Sequence, residues 1–149
     1  MKRTLIVLAA CALTAGLAGC NETDDSDIVI APLHDVRSLT QDAAKDPKAL
    51  LLIDARSSKD FAAGHIPGAI NIEVPDIDKK AGKKARMESY SEMIVYGDNP
   101  GSAPAKGLTK RLLEVGYKSV RMFAGGLSEW KSAGLPVDTS ASVAPASSR

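Results

Sequence analysis

The sequence predicts one α/β domain in which helices flank both faces of a mostly parallel central sheet. Short apolar runs alternate along the chain with segments of helical periodicity, which is the pattern of parallel strands joined by crossover helices. One run, residues 50–54 (LLLID), is apolar at successive positions, as in a strand that is covered on both faces. The length of 149 residues and the 44% hydrophobic content suit a single globular domain.

The first half of the domain contains three predicted strands. Residues 28–30 (IVI) form the first, residues 50–54 the second and residues 69–72 (AINI) a weaker third. A helix is predicted between the first two strands, because apolar residues recur there at helical spacing. Pro47 prevents this helix from continuing further. The periodic residues are Leu33, Val36 and Leu39.

The second half contains two further strands, residues 93–96 (MIVY) and 120–123 (VRMF). The helix predicted between them ends at Gly116, a residue type that commonly stops helices. Its apolar face consists of Ala105, Leu108, Leu112 and Val115. A short final helix is predicted within residues 125–134, with Trp130 on its buried side.

The amino-terminal residues 1–19 are predicted to be a signal peptide. Lys2 and Arg3 precede an apolar run and small residues follow it, which is the order of regions in a secretory signal. The run is shorter than the roughly 20 apolar residues that span a bilayer. We therefore expect the protein to be exported and to face the periplasm.

The signal peptide leads into Leu-Ala-Gly-Cys at residues 17–20, which resembles a bacterial lipobox. The resemblance implies cleavage before Cys20, a diacylglycerol on its sulfur and acylation of its amine. Several acyl chains anchor a protein stably, so membrane lipid is the expected partner of Cys20. Ordinary cleavage that leaves a free Cys20 thiol is the alternative.

Two polar segments flank the predicted domain, which covers residues 28–138. Residues 20–27 are mostly polar and acidic, and we expect them to form a flexible tether between the lipid and the domain. Residues 139–149 are rich in Ser and Ala, and we expect them to be a disordered tail because they cannot bury a core.

The charge of the mature chain is close to zero. The full sequence has a formal net charge of +1. Loss of Lys2 and Arg3 with the signal peptide lowers the 19 basic residues to 17, against 18 acidic residues. Electrostatic attraction therefore does not indicate a nucleic-acid partner.

Cysteine usage limits the chemistry of the predicted domain. The chain contains 2 cysteines, Cys11 in the signal peptide and Cys20 at the lipobox. No thiol follows Cys20, so the domain has neither an internal disulfide nor a thiolate nucleophile. His34, His65 and scattered carboxylates do not show the spacing of a transition-metal site, and no metal or cofactor is predicted.

Two stretches of the chain together carry the motifs of one family. Residues 51–72 contain Asp-x-Arg, an Asp-Phe pair and Gly-His-Ile-Pro-Gly-Ala. Residues 94–137 contain a strand, a helix, Gly-Tyr, Gly-Gly and Trp in that order. In these motifs and in their separation the chain resembles the rhodanese-like domain over nearly all of its predicted folded region. The resemblance implies the same α/β fold.

The rhodanese family works through one cysteine placed directly after the central strand. The resemblance implies that this thiolate takes sulfur from a donor such as thiosulfate and passes it to an acceptor such as cyanide. Backbone amides of the following loop and the positive end of the next helix stabilise the thiolate. Active members often carry Arg or Lys in that loop, which attracts the anionic donor.

In this chain the position that matches the family's cysteine is Gly97. The loop has no sulfur and no basic side chain, and Asp98 adds negative charge where the family would receive an anion. We therefore expect no sulfurtransferase activity, but a loop whose geometry would still lower the pKa of a thiol introduced by Gly97→Cys. The loop consists of Gly97, Asp98, Asn99, Pro100, Gly101 and Ser102.

Three further residues are expected to support the loop. Asp54 and Arg56 are interpreted as a pair at the end of a strand that organises neighbouring loops, with catalysis as the alternative. His65 is interpreted as holding a turn by hydrogen bonding, with proton transfer as the alternative. Ser102 precedes Ala103-Pro104 and is interpreted as a helix N-cap. Its alternative role is a nucleophile with His65 as the base and Asp54 or Asp98 as the orienting group.

Three functions remain open on this basis. The first is a membrane-tethered, non-catalytic module that binds an unidentified protein or small ligand through the loop. The second is an enzyme that uses the pocket for other chemistry, either hydrolase-like or phosphatase-like chemistry relying on Ser102, Asp98 or His65, or chemistry related to sulfur transfer. The third is a purely scaffolding role, in which binding is indifferent to substitutions in the loop.

Overall fold

The computed structural model describes residues 23–78, 82 and 85–139. The predicted signal peptide, the lipobox and Cys20 lie outside the described residues, as do residues 140–149 of the predicted tail. Within the described part of the chain, no helix combines the length and the apolar character needed to cross a bilayer.

Five parallel strands form one sheet in the order β1-β5-β4-β2-β3. The two central strands, β4 and β2, are paired along five residues each, from Leu50 opposite Glu92 to Asp54 opposite Tyr96. The sheet confirms the predicted α/β fold. The strands are β1 (Val29–Ile30), β2 (Leu50–Asp54), β3 (Ile70–Asn71), β4 (Glu92–Tyr96) and β5 (Val120–Phe123).

Helices cover both faces of the sheet because the central strands are apolar on both sides. The helices are α1 (Leu33–Ala43), α2 (Ser58–Ala63), α3 (Ala85–Glu88), α4 (Ala103–Val115) and α5 (Gly126–Ser132). Successive residues of β2 alternate between two cores: Leu51 and Ile53 pack with α4 and Met87, whereas Leu50 and Leu52 pack with α1 and α5. Gly116 ends α4 in a left-handed conformation, as predicted.

The helix α2 was not predicted from the sequence. Six residues are too few for hydrophobic periodicity to be recognised. Ser57 is the N-cap of this helix, and its hydroxyl accepts a hydrogen bond from the Asp60 amide at 3.2 Å. The spacing Ser-x-x-Asp is typical of a helix start and is the sequence signal that could have revealed α2.

The described chain also extends into the segment that was expected to be a flexible tether. Residues Asp25–Asp27 form a 3-10 turn, and Asp24 caps it. The turn lies against α4, where Asp25 contacts two lysines. Composition alone showed a polar, acidic segment, but it could not show that complementary charges on α4 lie within reach.

Candidate functional site

The predicted loop lies at the carboxyl edge of the sheet, between the end of β4 and the start of α4. This edge is where ligands bind in open α/β sheets, because loops from neighbouring strands meet there. The loop borders an open cleft of about 660 Å³. The cleft is lined by Arg56, Ser57, Asp60, Asp98, Asn99, Gly101, Ser102, Ala103 and Pro104.

Gly97 and Ser102 lie against each other at the base of the loop. The Ser102 hydroxyl accepts a hydrogen bond from the Ala105 amide at 3.5 Å, so Ser102 is the N-cap of α4. A Cβ atom placed on Gly97 would lie 2.0 Å from Ser102 Oγ and 2.5 Å from Ser102 Cβ. These separations are far below van der Waals contact. Ser102 therefore occupies the space that a side chain at position 97 would need.

This contact bears on the expected effect of Gly97→Cys, because an introduced side chain would meet Ser102. The Ser102 hydroxyl could rotate away from a cysteine side chain introduced at position 97, but the Ser102 Cβ is fixed by the backbone. Gly97 is buried in the structure, which leaves little room for the backbone to move. Sequence reasoning missed the contact because it joins two residues across a loop whose path is not evident from the sequence.

The loop is also fixed from its other side by the start of α5. The Gly97 carbonyl accepts a hydrogen bond from the Leu127 amide at 2.9 Å, and the Asp98 carbonyl accepts one from the Ser128 amide at 2.8 Å. Gly126 allows this approach, because a Cβ on it would lie 2.6 Å from the Gly97 carbonyl oxygen. Its φ angle of 61° also favours glycine. The loop is therefore held in place before any ligand binds.

Asp54 and Arg56 form a buried ion pair beside the cleft. The Asp54 side chain is fully buried and that of Arg56 is 10% exposed. Arg56 Nη2 donates to Asp54 Oδ2 at 2.6 Å, and Arg56 Nε donates to Asp54 Oδ1 at 3.0 Å. Burial alone would lower the pKa of Arg56, but the hydrogen bond and the charge of Asp54 raise it above its usual value. The charge of Arg56 is thus largely neutralised by Asp54 rather than presented to the cleft.

Two residues that the sequence did not single out complete this support. The Asn71 side-chain amide donates to the Asp54 carbonyl at 3.0 Å and to the Arg56 carbonyl at 2.8 Å. The Tyr96 hydroxyl accepts a hydrogen bond from the Ile66 amide at 3.0 Å. Burial, followed by the nearby Asp54 carboxylate, raises the pKa of Tyr96 well above its usual value. A tyrosine at the end of a predicted apolar strand was the available signal for this role.

His65 holds the turn that accepts a second hydrogen bond from Arg56 Nη2. Arg56 Nη2 donates to the Gly64 carbonyl at 2.6 Å. The His65 ring stacks on Phe61, with centroids 3.8 Å apart, and its Nδ1 is 2.9 Å from the Phe61 carbonyl. The His65 backbone pairs in both directions with Asp138. His65 is buried and lies outside the set of residues that line the cleft.

The structure does not assemble a hydrolytic triad at this site. In the described part of the chain, no hydrogen bond joins Ser102 to His65, nor either of them to Asp98. The Asp98 carboxylate instead accepts from its neighbour, the Asn99 side-chain amide, at 3.3 Å. Ser102 therefore has a capping contact but no base to activate its hydroxyl.

The rim of the cleft is polar and acidic. The Asp60 carboxylate accepts a hydrogen bond from the Ser57 hydroxyl at 2.6 Å and faces the same cleft as Asp98. Asp60 was noticed in the sequence only as part of a motif. Across residues 23–78, 82 and 85–139, no group of three or more His, Cys, Asp or Glu side chains could hold a metal ion. The arrangement offers hydrogen-bonding groups and negative charge to a ligand.

Similarity to known proteins agrees with this architecture. The chain matches the Rhodanese-like domain over residues 34–133. An HTH-type transcriptional regulator from Mycobacterium tuberculosis is 33% identical over 92 residues, which cover 62% of this chain and 39% of the regulator. The chloroplastic thiosulfate sulfurtransferase 16 of Arabidopsis thaliana is 31% identical over 94 residues, which cover 56% of this chain and 76% of that protein. The match thus spans less than half of the first relative and about three quarters of the second.

A solved structure shows the same likeness. The crystal structure of a thiosulfate sulfurtransferase from Pseudomonas aeruginosa superposes with a TM-score of 0.60 and 28% sequence identity. The superposition covers 75% of this chain but 20% of the Pseudomonas chain, so the similarity concerns one part of a longer protein.

Proposed function

The chain belongs to the rhodanese-like domain family, and from this premise we propose that it is a binding module without sulfurtransferase activity, anchored to a membrane by lipid on Cys20. Gly97 takes the place of the family's cysteine in this proposal. The ligand, a protein segment or a small molecule, binds in the cleft beside the loop.

The relationship between Gly97 and Ser102 is the observation that carries the proposal. Sulfur transfer through a persulfide requires a thiolate, and no cysteine follows Cys20 in the sequence. Ser102 fills the space beside Gly97, so the site has lost both the nucleophile and the room for one.

The remaining parts of the site support binding. The loop is held by hydrogen bonds from Leu127 and Ser128, and Arg56 is held by Asp54 and Gly64. A site that is already held in place loses less conformational freedom when a ligand binds, which favours affinity. The cleft of about 660 Å³ is large enough for a small molecule or a few residues of a peptide.

The lipid anchor is proposed from the sequence of the first twenty residues. Basic, apolar and small-residue regions precede Cys20 in the order of an exported lipoprotein. Acylation of Cys20 would hold the module on the membrane and would also remove the last thiol of the mature chain.

A sulfur-transfer assay tests this function. The purified mature protein is incubated with thiosulfate and cyanide, and thiocyanate is measured against the same protein after heating. We expect no difference between the two samples. The Arabidopsis sulfurtransferase named above serves as the control that the assay detects turnover. Formation of thiocyanate by the unheated protein above the heated sample would overturn the proposal.

A further inference from the structure

The residues that lead into β1 are held on the outer surface of α4. The Asp25 carboxylate accepts hydrogen bonds from Lys106 Nζ at 3.2 Å and from Lys110 Nζ at 3.0 Å. The two lysines are four residues apart on α4, so they project from the same side of the helix. The hydrogen bonds from Lys110 and Lys106 lower the pKa of Asp25, and the bond to Asp25 raises the pKa of Lys110.

The segment that carries Asp25 is itself ordered by local hydrogen bonds. Asp24 Oδ1 accepts from the Ser26 amide at 2.6 Å, and Asp27 Oδ2 accepts from the Asp24 amide at 2.9 Å. Ile28 packs against the core beneath α4. We refer to the 3-10 turn of Asp25–Asp27 together with Lys106 and Lys110 as the amino-terminal clasp.

The clasp lies close to the cleft. Lys106 is three residues from Ala103, which lines the cleft, and this corresponds to a rise of about 4.5 Å along the helix. Asp25 lies five positions after Cys20, and an extended chain of five residues reaches no more than about 18 Å. The chain from Cys20 to Asp25 is short, and Asp25 contacts α4 close to the residues that line the cleft. A lipid on Cys20 would therefore bring this end of α4 near the bilayer.

We propose that the clasp orients the anchored domain, so that the outer face of α4 and the cleft lie next to the bilayer. The proposal rests on the lipid anchor of the proposed function. The negative charge of Asp60 and Asp98 on the cleft disfavours contact with anionic lipid headgroups, so the attachment at the clasp, rather than headgroup binding, sets this orientation. Without the clasp, the contacts that hold the chain on the domain begin at Ile28, which is farther along the chain from Cys20, and the preferred orientation is lost.

Energy transfer to the membrane tests the orientation. The processed full chain is extracted from membranes, reconstituted into zwitterionic vesicles containing an acceptor-labelled lipid, and labelled with a donor at Ala103→Cys or Gln41→Cys. Gln41 is exposed on α1, on the opposite face of the sheet from α4. We expect more efficient transfer from position 103 than from position 41. An acylated Cys20 has no free thiol and does not react with the label. The measured energy transfer therefore comes only from the donor on the introduced cysteine.

A second set of variants tests whether the clasp is the cause. We expect Lys106→Gln with Lys110→Gln to abolish the difference between the two label positions, and 1 M salt to do the same, because it shortens the screening length to about 3 Å. The matched control neutralises two exposed lysines elsewhere, Lys118→Gln with Lys131→Gln, and should keep the difference.

The outcomes separate this inference from the function on which it rests. Equal transfer from both positions in vesicle-bound protein would overturn the orientation and leave the anchor intact. A difference that survives loss of both clasp lysines would overturn the role of the clasp. A difference that appears only when the vesicles contain anionic lipid would assign the orientation to headgroup binding instead. Failure to associate with vesicles, together with labelling at Cys20, would contradict the anchor itself and the orientation with it.

Discussion

The side chain of Ser102 lies where a side chain on Gly97 would have to lie. A Cβ on Gly97 would be 2.0 Å from Ser102 Oγ, 2.5 Å from Ser102 Cβ and 3.3 Å from the Ala105 Cβ. The two residues are therefore coupled: glycine at position 97 and serine at position 102 fit together, and a larger residue at either position affects the other.

The first prediction concerns this pair. Gly97→Cys should lower the free energy of unfolding by about 1–3 kcal/mol, because it overpacks a buried site. Adding Ser102→Gly should recover most of that loss, since glycine at an N-cap costs only a few tenths of a kcal/mol. Urea denaturation of both single variants and the double variant measures the coupling. Additive effects of the two changes would contradict the contact.

A second prediction concerns the buried ion pair. Arg56→Met should destabilise the protein by about 3–5 kcal/mol, because it leaves the Asp54 carboxylate buried without an opposite charge. Arg56→Lys should cost less, since it keeps the charge but loses the two-point contact. Arg37→Met, at an exposed position on α1, is the matched control and should change the free energy of unfolding little. If Arg56→Met and Arg37→Met cost the same in chemical denaturation, Arg56 does not stabilise Asp54.

A third prediction concerns the contact between α5 and the loop. Gly126 and Gly134 both have a positive φ, 61° and 68°, but a Cβ meets neighbouring backbone only at Gly126. Gly134→Ala should cost about 1–2 kcal/mol, the usual penalty of a left-handed residue. Gly126→Ala should cost more and should increase hydrogen exchange at the Leu127 and Ser128 amides. Equal costs for the two variants would show that the loop does not pack tightly on α5.

The fourth prediction is a loss of stability at alkaline pH. Burial and the Asp54 carboxylate raise the pKa of Tyr96 in the folded protein above its usual value near 10. Above pH 10 the unfolded chain releases this proton while the folded chain keeps it. The free energy of unfolding therefore falls as the pH rises, and the full contribution is present below pH 10.

Tyr96→Phe provides the test of that pH dependence. The variant loses the acceptor for the Ile66 amide, so it should be less stable at neutral pH. Above pH 10 its stability should decline less steeply than that of the unmodified protein. Tyr90→Phe, at a half-exposed position, is the control and should keep the original slope. An identical alkaline decline in the Tyr96→Phe variant would contradict a protonated, buried phenol.

The fold was predictable because its signals are local. The run at β2 is apolar at every position but the last, and the structure buries all five of its residues. The apolar face of α4 and its end at Gly116 were likewise evident from spacing. The short helix α2 escaped prediction because six residues do not establish a period, and the ordered turn at Asp25–Asp27 escaped because its partners are more than 80 residues away.

The candidate site was predictable in its position but not in its contacts. The loop after β4 was identified from the strand that precedes it and the helix that follows. Asn71 and Tyr96 were not, although both hold the elements around Asp54 and Arg56 in place. Their roles depend on hydrogen bonds between residues that are 15 to 30 positions apart.

The sequence by itself determined that this chain is an α/β protein and that no thiol follows Cys20, since periodicity and composition are properties of the chain alone. Only the tertiary structure decided that Ser102 takes up the space beside Gly97 and that Asp25 reaches α4. Those facts depend on the paths of two loops through space. A shift of a few ångströms in the path of the loop would decide whether the space beside Gly97 is empty or filled by Ser102. No pattern in the sequence specifies distances of that size.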